Sequence, residues 1–243
     1  VATETGGRTS HSAIMARSLE IPAVVGVESI CGHVKNQDTV ILDGLEGLVI
    51  VTPDREILGH YHARKQHLEY VGRSLHKLGS LPAETVDGYR VRVTANIEFP
   101  AELPQAKAHG AEGIGLYRSE FLYLNRPDLP AEDEHFAVYR AVAADMHPRS
   151  TIIRTLDFGG DKLASAIHLA TEENPSLGLR AIRLCLHRPD MFRTQLRAIL
   201  RASAFGPLRI MYPMISGVAE VRAANALLDE VKEELATAGV AFD

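Results

Sequence analysis

The residues whose types and spacing point most directly to chemistry lie near the amino end, around His11. Two glycines, an arginine and a threonine precede this histidine, and an apolar helical pattern follows it. A neutral imidazole is a competent nucleophile near pH 7, because its ordinary pKa is ~6.5. A helix start attracts oxyanions through its unpaired N–H groups and the helix dipole. The pattern favours a phosphohistidine, with a histidine that only caps a helix as the plainer alternative.

The residues around His11 predict a cradle for an anion. Glycines let a ligand approach the backbone without a Cβ in the way. Guanidinium groups match two oxyanion oxygens at once. The predicted cradle residues are Gly6, Gly7, Arg8, Thr9 and Arg17.

This segment resembles the active-site signature of Enzyme I of the sugar phosphotransferase system, the phosphoenolpyruvate-protein phosphotransferase family. Pyruvate phosphate dikinase and phosphoenolpyruvate synthase contain related swivelling histidine domains that share the Gly-Gly pair, the threonine and the histidine. Their intervening residues usually differ from the Arg-Thr-Ser-His found here at positions 8–11. The resemblance therefore favours Enzyme I, and it implies that His11 is the catalytic residue.

Three arginines farther along the chain form a second candidate site. Arg118 and Arg154 lie at or near the carboxyl ends of predicted strands, where barrel enzymes place catalytic groups. Phosphoenolpyruvate carries a carboxylate and a phosphate, and guanidinium forks suit both. The resemblance assigns Arg118, Arg154 and Arg180 to this substrate, whereas pattern alone leaves open that each belongs to an ion pair at the rim.

Four longer motifs also resemble the phosphoenolpyruvate-binding TIM barrel of Enzyme I, and the resemblance covers nearly the whole chain. They are residues 113–122, 153–162, 174–183 and 195–214. The departures from the family pattern are modest, and none removes a group assigned to chemistry. They are Ser12, Phe99, Pro100 and Leu179.

The resemblance implies further parts that lie outside this chain. The family's magnesium carboxylates and catalytic cysteine are expected beyond Asp243, so we predict a Mg²⁺ cofactor but no metal ligand in this chain. A helical subdomain that binds the carrier protein is expected before Val1. The implied partners are phosphoenolpyruvate, a histidine-containing phosphocarrier protein and a second copy in a homodimer. The absence of an initiator methionine also predicts a fragment.

Two glycine-containing segments do not fit nucleotide-binding loops. Residues 159–162 lack the Walker spacing and the Ser or Thr that follows its lysine. Gly113-Ile114-Gly115 lacks the third glycine of a dinucleotide fingerprint, and we interpret it as a tight strand entry. Asp157 and Asp161 could contact a metal, but such residues more often hold an arginine or cap a loop.

The amino-terminal elements predict a small α/β unit followed by a long helix. Residues 12–19 read as a helix, 21–27 as a strand, and 39–42 with 48–52 as a hairpin. From about Asp54 to Leu78, apolar residues alternate four and three apart, interrupted by Arg64, and predict one helix that packs on another element. We assign 1–53 to the C-terminal part of a phosphohistidine domain and 54–82 to a helical linker.

Beyond residue 82 the pattern alternates strand and helix, which predicts a parallel sheet. The predicted strands are 90–97, 114–118, 151–156 and 208–214, and the predicted helices are 100–108, 132–146, stretches within 176–204, and 218–238. Four βα units suit half a barrel or a small doubly wound sheet, and pattern leaves both open. The resemblance favours the first half of a TIM-type (β/α)8 barrel at 83–243, in an α/β fold class.

Composition excludes several classes of protein. The chain has 243 residues, of which 46% are hydrophobic, and a formal net charge of -5 without a basic cluster, so we expect no nucleic-acid partner. Cys31 and Cys185 lack zinc or redox spacing, and we predict that both are reduced core residues. Reduced cysteines indicate a cytoplasmic protein. The sequence has no apolar run long enough to span a bilayer and no targeting pattern, so we expect neither membrane insertion nor secretion.

Together with these residues, the resemblance to Enzyme I implies a phosphotransferase that moves the phosphoryl group of phosphoenolpyruvate to His11 and on to a histidine carrier protein for sugar uptake. Two alternatives remain open at this point. One is the corresponding part of a pyruvate phosphate dikinase or phosphoenolpyruvate synthase, which also uses ATP. The other is a non-catalytic docking or regulatory module.

Overall fold

A computed structural model describes residues 1–7, 10–124, 126–158 and 178–243, with the side chains of His11 and Ser18 excepted. These residues divide into two compact units, Val1–Pro82 and Ala83–Asp243. Both units combine helices and strands, which agrees with the predicted α/β class.

The strands of the amino-terminal unit form two small pairs. β1 (Ala2–Thr3) lies parallel to β2 (Val24–Val25). β3 (Val40–Asp43) and β4 (Leu48–Val51) form an antiparallel hairpin, as predicted. β2 is shorter than the predicted strand 21–27. The N–H of Ile21 closes the preceding helix on the Ala16 carbonyl, at 2.8 Å, and the positive φ of Gly26 (73°) follows β2 directly.

Three helices complete this unit: α1 (His11–Ser18), α2 (Ile30–His33) and α3 (Arg55–Leu78). α3 matches the predicted long helix, and it begins where the Asp54 carboxylate accepts a hydrogen bond from the Ile57 N–H at 2.8 Å. No described side chain of α3 is buried, and Leu68, Leu75 and Leu78 of its apolar stripe are exposed.

Arg64, the charged interruption of that stripe, has a structural explanation. Its guanidinium pairs with the Asp43 carboxylate at 3.1 Å and with Glu46 at 3.1 Å, so it ties α3 to the turn of the hairpin. The other oxygen of Asp43 accepts hydrogen bonds from the N–H groups of Leu45 and Glu46. These backbone donors and the Arg64 charge lower the pKa of Asp43.

The two cysteines lie in different environments, which corrects one prediction. Cys185 is fully buried, as predicted, and burial raises the pKa of its thiol to about 12. Cys31 is exposed, so its assignment to the core was wrong. It lies on α2, a four-residue helix without a buried residue, and the nearby Glu4 carboxylate raises the pKa of its thiol.

The second unit is built on a parallel four-stranded sheet, as the alternating pattern predicted. Its strands are β5 (Ala95–Ile97), β6 (Ile114–Arg118), β7 (Thr151–Arg154) and β8 (Leu208–Met211). They lie side by side in chain order, without a reversal. β5 is shorter than predicted because Arg90 forms an antiparallel bridge with Glu84 across a turn. β7 and β8 also end two and three residues before their predicted ends.

The helices of this unit include α4 (Leu103–Ala108), which follows a 3₁₀ turn at Pro100–Glu102, and α5 (Glu132–Met146). After residue 177 come α6 (Ala181–His187), α7 (Pro189–Ser203) and α8 (Val218–Thr237). One core cluster joins the sheet to α5 and α7. It includes Tyr117, Tyr139, Met146, Ile153 and Ile199.

Gly113 and Gly115 serve close packing at the entry to β6, as the sequence predicted. A Cβ at Gly113 would lie 2.7 Å from the backbone oxygen of Ser150, and one at Gly115 would collide with Thr94. Within the described residues, no helix is long and apolar enough to cross a membrane.

Candidate functional site

Arg118 and Arg154 lie side by side at the carboxyl edge of the sheet. Each is the last residue of its strand, and the parallel register pairs Arg118 directly with Arg154. The Arg118 side chain, 44% exposed, forms an ion pair with Glu98 just beyond β5. The sheet therefore brings together two arginines that are 36 positions apart in the sequence.

Arg154 is held between two carboxylates. It pairs with Glu120 on one side and with Asp157 at 3.0 Å on the other. The Glu120 side chain is only 6% exposed. Burial raises the pKa of this carboxyl, and the Arg154 charge works in the opposite direction by stabilising the carboxylate. The Arg154 guanidinium is thus fixed in orientation in a partly desolvated position.

Asp157 connects Arg154 to Arg180. Its second carboxylate oxygen accepts a hydrogen bond from Arg180 Nη2 at 3.0 Å, and its backbone oxygen lies 3.3 Å from the same nitrogen. Arg180 immediately precedes α6. The interpretation of Asp157 as a residue that holds an arginine is confirmed, whereas Asp161 and the 159–162 segment lie outside the described residues.

The arginine cluster retains donors for a ligand. Within the described part of the chain, the Nε groups of Arg154 and Arg180 are buried without a hydrogen-bond acceptor. A buried donor without a partner is costly, so such groups favour an acceptor oxygen that arrives with a ligand. The cluster is suited to an anion that presents several oxygens.

Beneath the arginines lies a buried polar network that the sequence analysis missed. The Gln195 side-chain amide, on α7, donates to Ser119 Oγ at 2.9 Å and to the Tyr139 hydroxyl at 3.0 Å. Its oxygen accepts from the Leu156 N–H at 3.0 Å. The available signal was a glutamine on the apolar stripe of a helix, at helical spacing from Phe192 and Ile199.

His135 closes the network from α5. Its Nδ1 lies 3.0 Å from the Tyr139 hydroxyl, and its ring lies against those of Tyr123 and Tyr139. Burial lowers its pKa to about 4, so the imidazole is neutral at physiological pH.

We expect His135 to make the stability of this unit depend on acidity. Between pH 6.5 and pH 4 the unfolded chain binds a proton that the folded chain does not, so stability falls by ~1.4 kcal/mol per pH unit as pH decreases. In an NMR titration, the His135 ring should titrate near pH 4 in the folded protein and near ~6.5 in urea. The non-titrating variant His135→Gln should lose this part of the pH dependence. A folded-state titration near ~6.5 would contradict the expectation.

The segment around His11 forms the start of α1. The backbone places His11 at the first helical position, one residue earlier than the predicted helix start, and the Ser10 hydroxyl caps the helix by accepting from the Ala13 N–H at 3.4 Å. Gly6 has a φ of 108°, and a Cβ there would lie 3.2 Å from Ser10 Oγ, so only glycine suits this turn. Gly7 has open space around its Cβ position.

Of the other three predicted cradle residues, only Arg17 lies among the described residues. Arg8 and Thr9 lie outside the described residues. Arg17 is exposed in the last turn of α1, about 9 Å along the helix from His11 at ~1.5 Å per residue. Arg17 therefore does not share a helix end with Gly6 and Gly7.

The described residues offer no ready metal centre. Among residues 1–7, 10–124, 126–158 and 178–243, no group of three or more His, Cys, Asp or Glu side chains could hold a metal ion. Asp157, which the sequence left open as a metal contact, is already shared by Arg154 and Arg180. These residues do not fit a Mg²⁺ site.

The fold and site define a class of protein: a parallel α/β protein with arginines gathered at the carboxyl edge of its sheet, suited to a small anionic substrate. Residues 73–243 match the family described as PEP-utilising enzyme, PEP-binding domain. Residues 1–47 match PEP-utilising enzyme, mobile domain. The chain belongs to the PEP-utilising enzyme family.

Two curated relatives of similar sequence carry the name of one enzyme. The phosphoenolpyruvate-protein phosphotransferase of Geobacillus stearothermophilus is 53% identical over 240 residues, which are 99% of this chain and 42% of that protein. The enzyme of the same name from Staphylococcus carnosus (strain TM300) is 49% identical over 237 residues, or 98% of this chain and 41% of that protein. The resemblance drawn from the motifs is confirmed, and the chain spans about two-fifths of these relatives.

A solved structure adds sequence similarity only. An NMR solution structure of an Enzyme I protein is 59% identical to this chain where the two align, over 28% of this chain and 27% of that one. Its TM-score of 0.27 supports no argument about the fold.

Proposed function

We propose that a protein containing this chain transfers the phosphoryl group of phosphoenolpyruvate to His11 and then to a histidine on a small carrier protein that serves sugar uptake. The observation that supports this most directly is the arginine cluster. Arg154 pairs in register with Arg118 and shares Asp157 with Arg180. The three arginines assigned from the sequence are thus connected to one another, by one strand pairing and by one shared carboxylate.

The substrate has the right chemistry for this cluster. Phosphoenolpyruvate presents a planar carboxylate and a phosphate, and bidentate guanidinium contacts suit both. The buried Nε donors of Arg154 and Arg180 would bind its oxygens, while the more exposed Arg118 would contribute charge at the rim. Fixed positive charges also stabilise the charge that develops on a phosphoryl group in transfer.

His11 serves as the nucleophile in this reaction. It attacks phosphorus in line, so that a phosphorus–nitrogen bond forms while the bond to the enol oxygen breaks. The enolate then takes up a proton at carbon and leaves as pyruvate. Gly6 and Gly7 let the backbone approach the phosphoryl group, Arg8 and Thr9 donate to its oxygens, and Arg17 adds a longer-range positive charge.

The organisation that we propose separates donor and acceptor. Residues 1–53 belong to a swivelling phosphohistidine domain, 54–82 to a helical linker, and 83–243 to the first half of a TIM-type barrel. The strand order of β5 to β8 supports a barrel, because a doubly wound sheet reverses its order at a switch point. A swivel about the linker would alternate His11 between donor and carrier.

The remaining components lie outside this chain in our proposal. Mg²⁺ is held by carboxylates beyond Asp243. The intact protein is a cytoplasmic homodimer, and its carrier protein binds to a part that precedes Val1.

Intact mass spectrometry tests this function. A protein of the relatives' full length that contains this chain is incubated at mildly alkaline pH with phosphoenolpyruvate and Mg²⁺. We expect one phosphoryl increment that acid removes, because a phosphoramidate is acid-labile, and we expect a histidine carrier protein to discharge it. An increment that requires ATP would instead support a dikinase or synthase. No increment on a folded protein with either donor would support a docking module.

A further inference from the structure

We infer that Gln195 is a positioning residue for the substrate arginines, an inference that rests on the proposed function. Gln195 lies on α7 and its side chain is 1% exposed. Its amide bonds to Ser119, which directly follows Arg118, and to the backbone of Leu156, two residues after Arg154. The Gln195 side chain thus connects the segment that follows β6 to the segment that follows β7.

A third hydrogen bond closes this connection into a circuit. The Ser119 hydroxyl donates to the backbone oxygen of Arg154 at 2.8 Å. Because the Ser119 hydroxyl donates its proton to Arg154, its oxygen is free to accept the hydrogen bond that the Gln195 amide donates. The Gln195 oxygen fixes the Leu156 N–H just past the end of β7. The ladder between β6 and β7 ends at Arg118 and Arg154, so this circuit continues the connection between these two segments beyond the ladder.

The circuit is both buried and anchored. Ser119, Gln195 and Tyr139 are each at most 1% exposed, and the second donor of the Gln195 amide is satisfied by the Tyr139 hydroxyl. Buried hydrogen bonds of this kind specify one geometry, because leaving any member unpaired is costly. A buried glutamine that only filled space would be replaceable by methionine, which has a similar shape without these donors and acceptors.

The variant Gln195→Met, made in the full-length protein, tests the inference. The arginine charges remain, so phosphoenolpyruvate should bind within about threefold of the parent affinity. The rate of His11 labelling in a single turnover should fall about 10- to 100-fold, because a displacement of ~1 Å in a positioning group has effects of this size. The result that supports the inference is a loss of labelling rate that is much larger than the loss of phosphoenolpyruvate affinity.

Leu196→Ala supplies a matched control. Leu196 is the next residue of α7 and fully buried, but it belongs to an apolar cluster and not to the circuit. It should lower the thermal midpoint at least as much as Gln195→Met and leave the labelling rate within about threefold. An equal loss of rate in both variants, or a parent-like rate in Gln195→Met, would overturn the positioning role.

A measurement independent of turnover separates this inference from the proposed function. In ¹⁵N-arginine spectra, the Nε–H resonance of Arg154 should shift in Gln195→Met and in Ser119→Ala, but not in Leu196→Ala. If the parent protein accepts no phosphoryl group, the proposed function fails, whereas an unshifted Arg154 resonance in Gln195→Met overturns the positioning role itself.

Discussion

Replacing His11 by alanine is expected to abolish labelling by phosphoenolpyruvate, lowering its rate by roughly 10⁴-fold or more, because the nucleophile itself is removed. The arginines that we propose bind the donor belong to the other compact unit, so the variant should still bind phosphoenolpyruvate. The measurements are the mass increment after incubation with donor and equilibrium binding of labelled phosphoenolpyruvate. Together they separate loss of the acceptor from loss of the donor site.

His33→Ala is the matched control for this experiment. His33 is an exposed histidine of the same unit, and its Nδ1 lies 2.8 Å from the backbone oxygen of Ser29, just before its own helix. We expect the control to be labelled at the parent rate. Labelling that persists in His11→Ala and disappears in His33→Ala would mean that our proposal names the wrong acceptor histidine.

The sequence predicted those parts of the fold that depend on local pattern. α3 and α5 were predicted almost to the residue, because apolar spacing and an N-cap such as Asp54 are local signals. β2 was predicted too long because Ile21, the first residue of the predicted strand, instead closes helix α1 through its N–H. Strand ends depend on pairing partners and on turns such as that between Glu84 and Arg90, which apolar pattern does not reveal.

The candidate site was predictable to a different degree for each residue. Arg118 and Arg154 could be placed at strand ends, but their pairing in register depends on the neighbouring strand. The roles of Glu120 and Gln195 could not be derived locally, since each acts through residues at least 34 positions away. Cys31 illustrates the converse error, because apolar neighbours in sequence did not imply burial.

The conservative variant Arg154→Lys is expected to lower the rate of labelling by roughly 10²-fold or more, although the positive charge is kept. A lysine ammonium cannot reproduce the planar fork that contacts Glu120 and Asp157 together and still offers Nε to a substrate oxygen. The buried Glu120, whose pKa is already raised, would then lose a close partner. Single-turnover labelling at several phosphoenolpyruvate concentrations measures the effect.

Arg193→Lys is the matched control, because Arg193 also bridges two carboxylates, Glu230 and Glu234, but in an exposed ion pair between helices α7 and α8. Exposed pairs of this kind contribute little to stability, so the control should label at the parent rate. A rate for Arg154→Lys within about threefold of the parent would mean that charge alone serves at this position. An equal loss in Arg193→Lys would mean that both substitutions act through general stability, and the arginine cluster would then no longer support a substrate site.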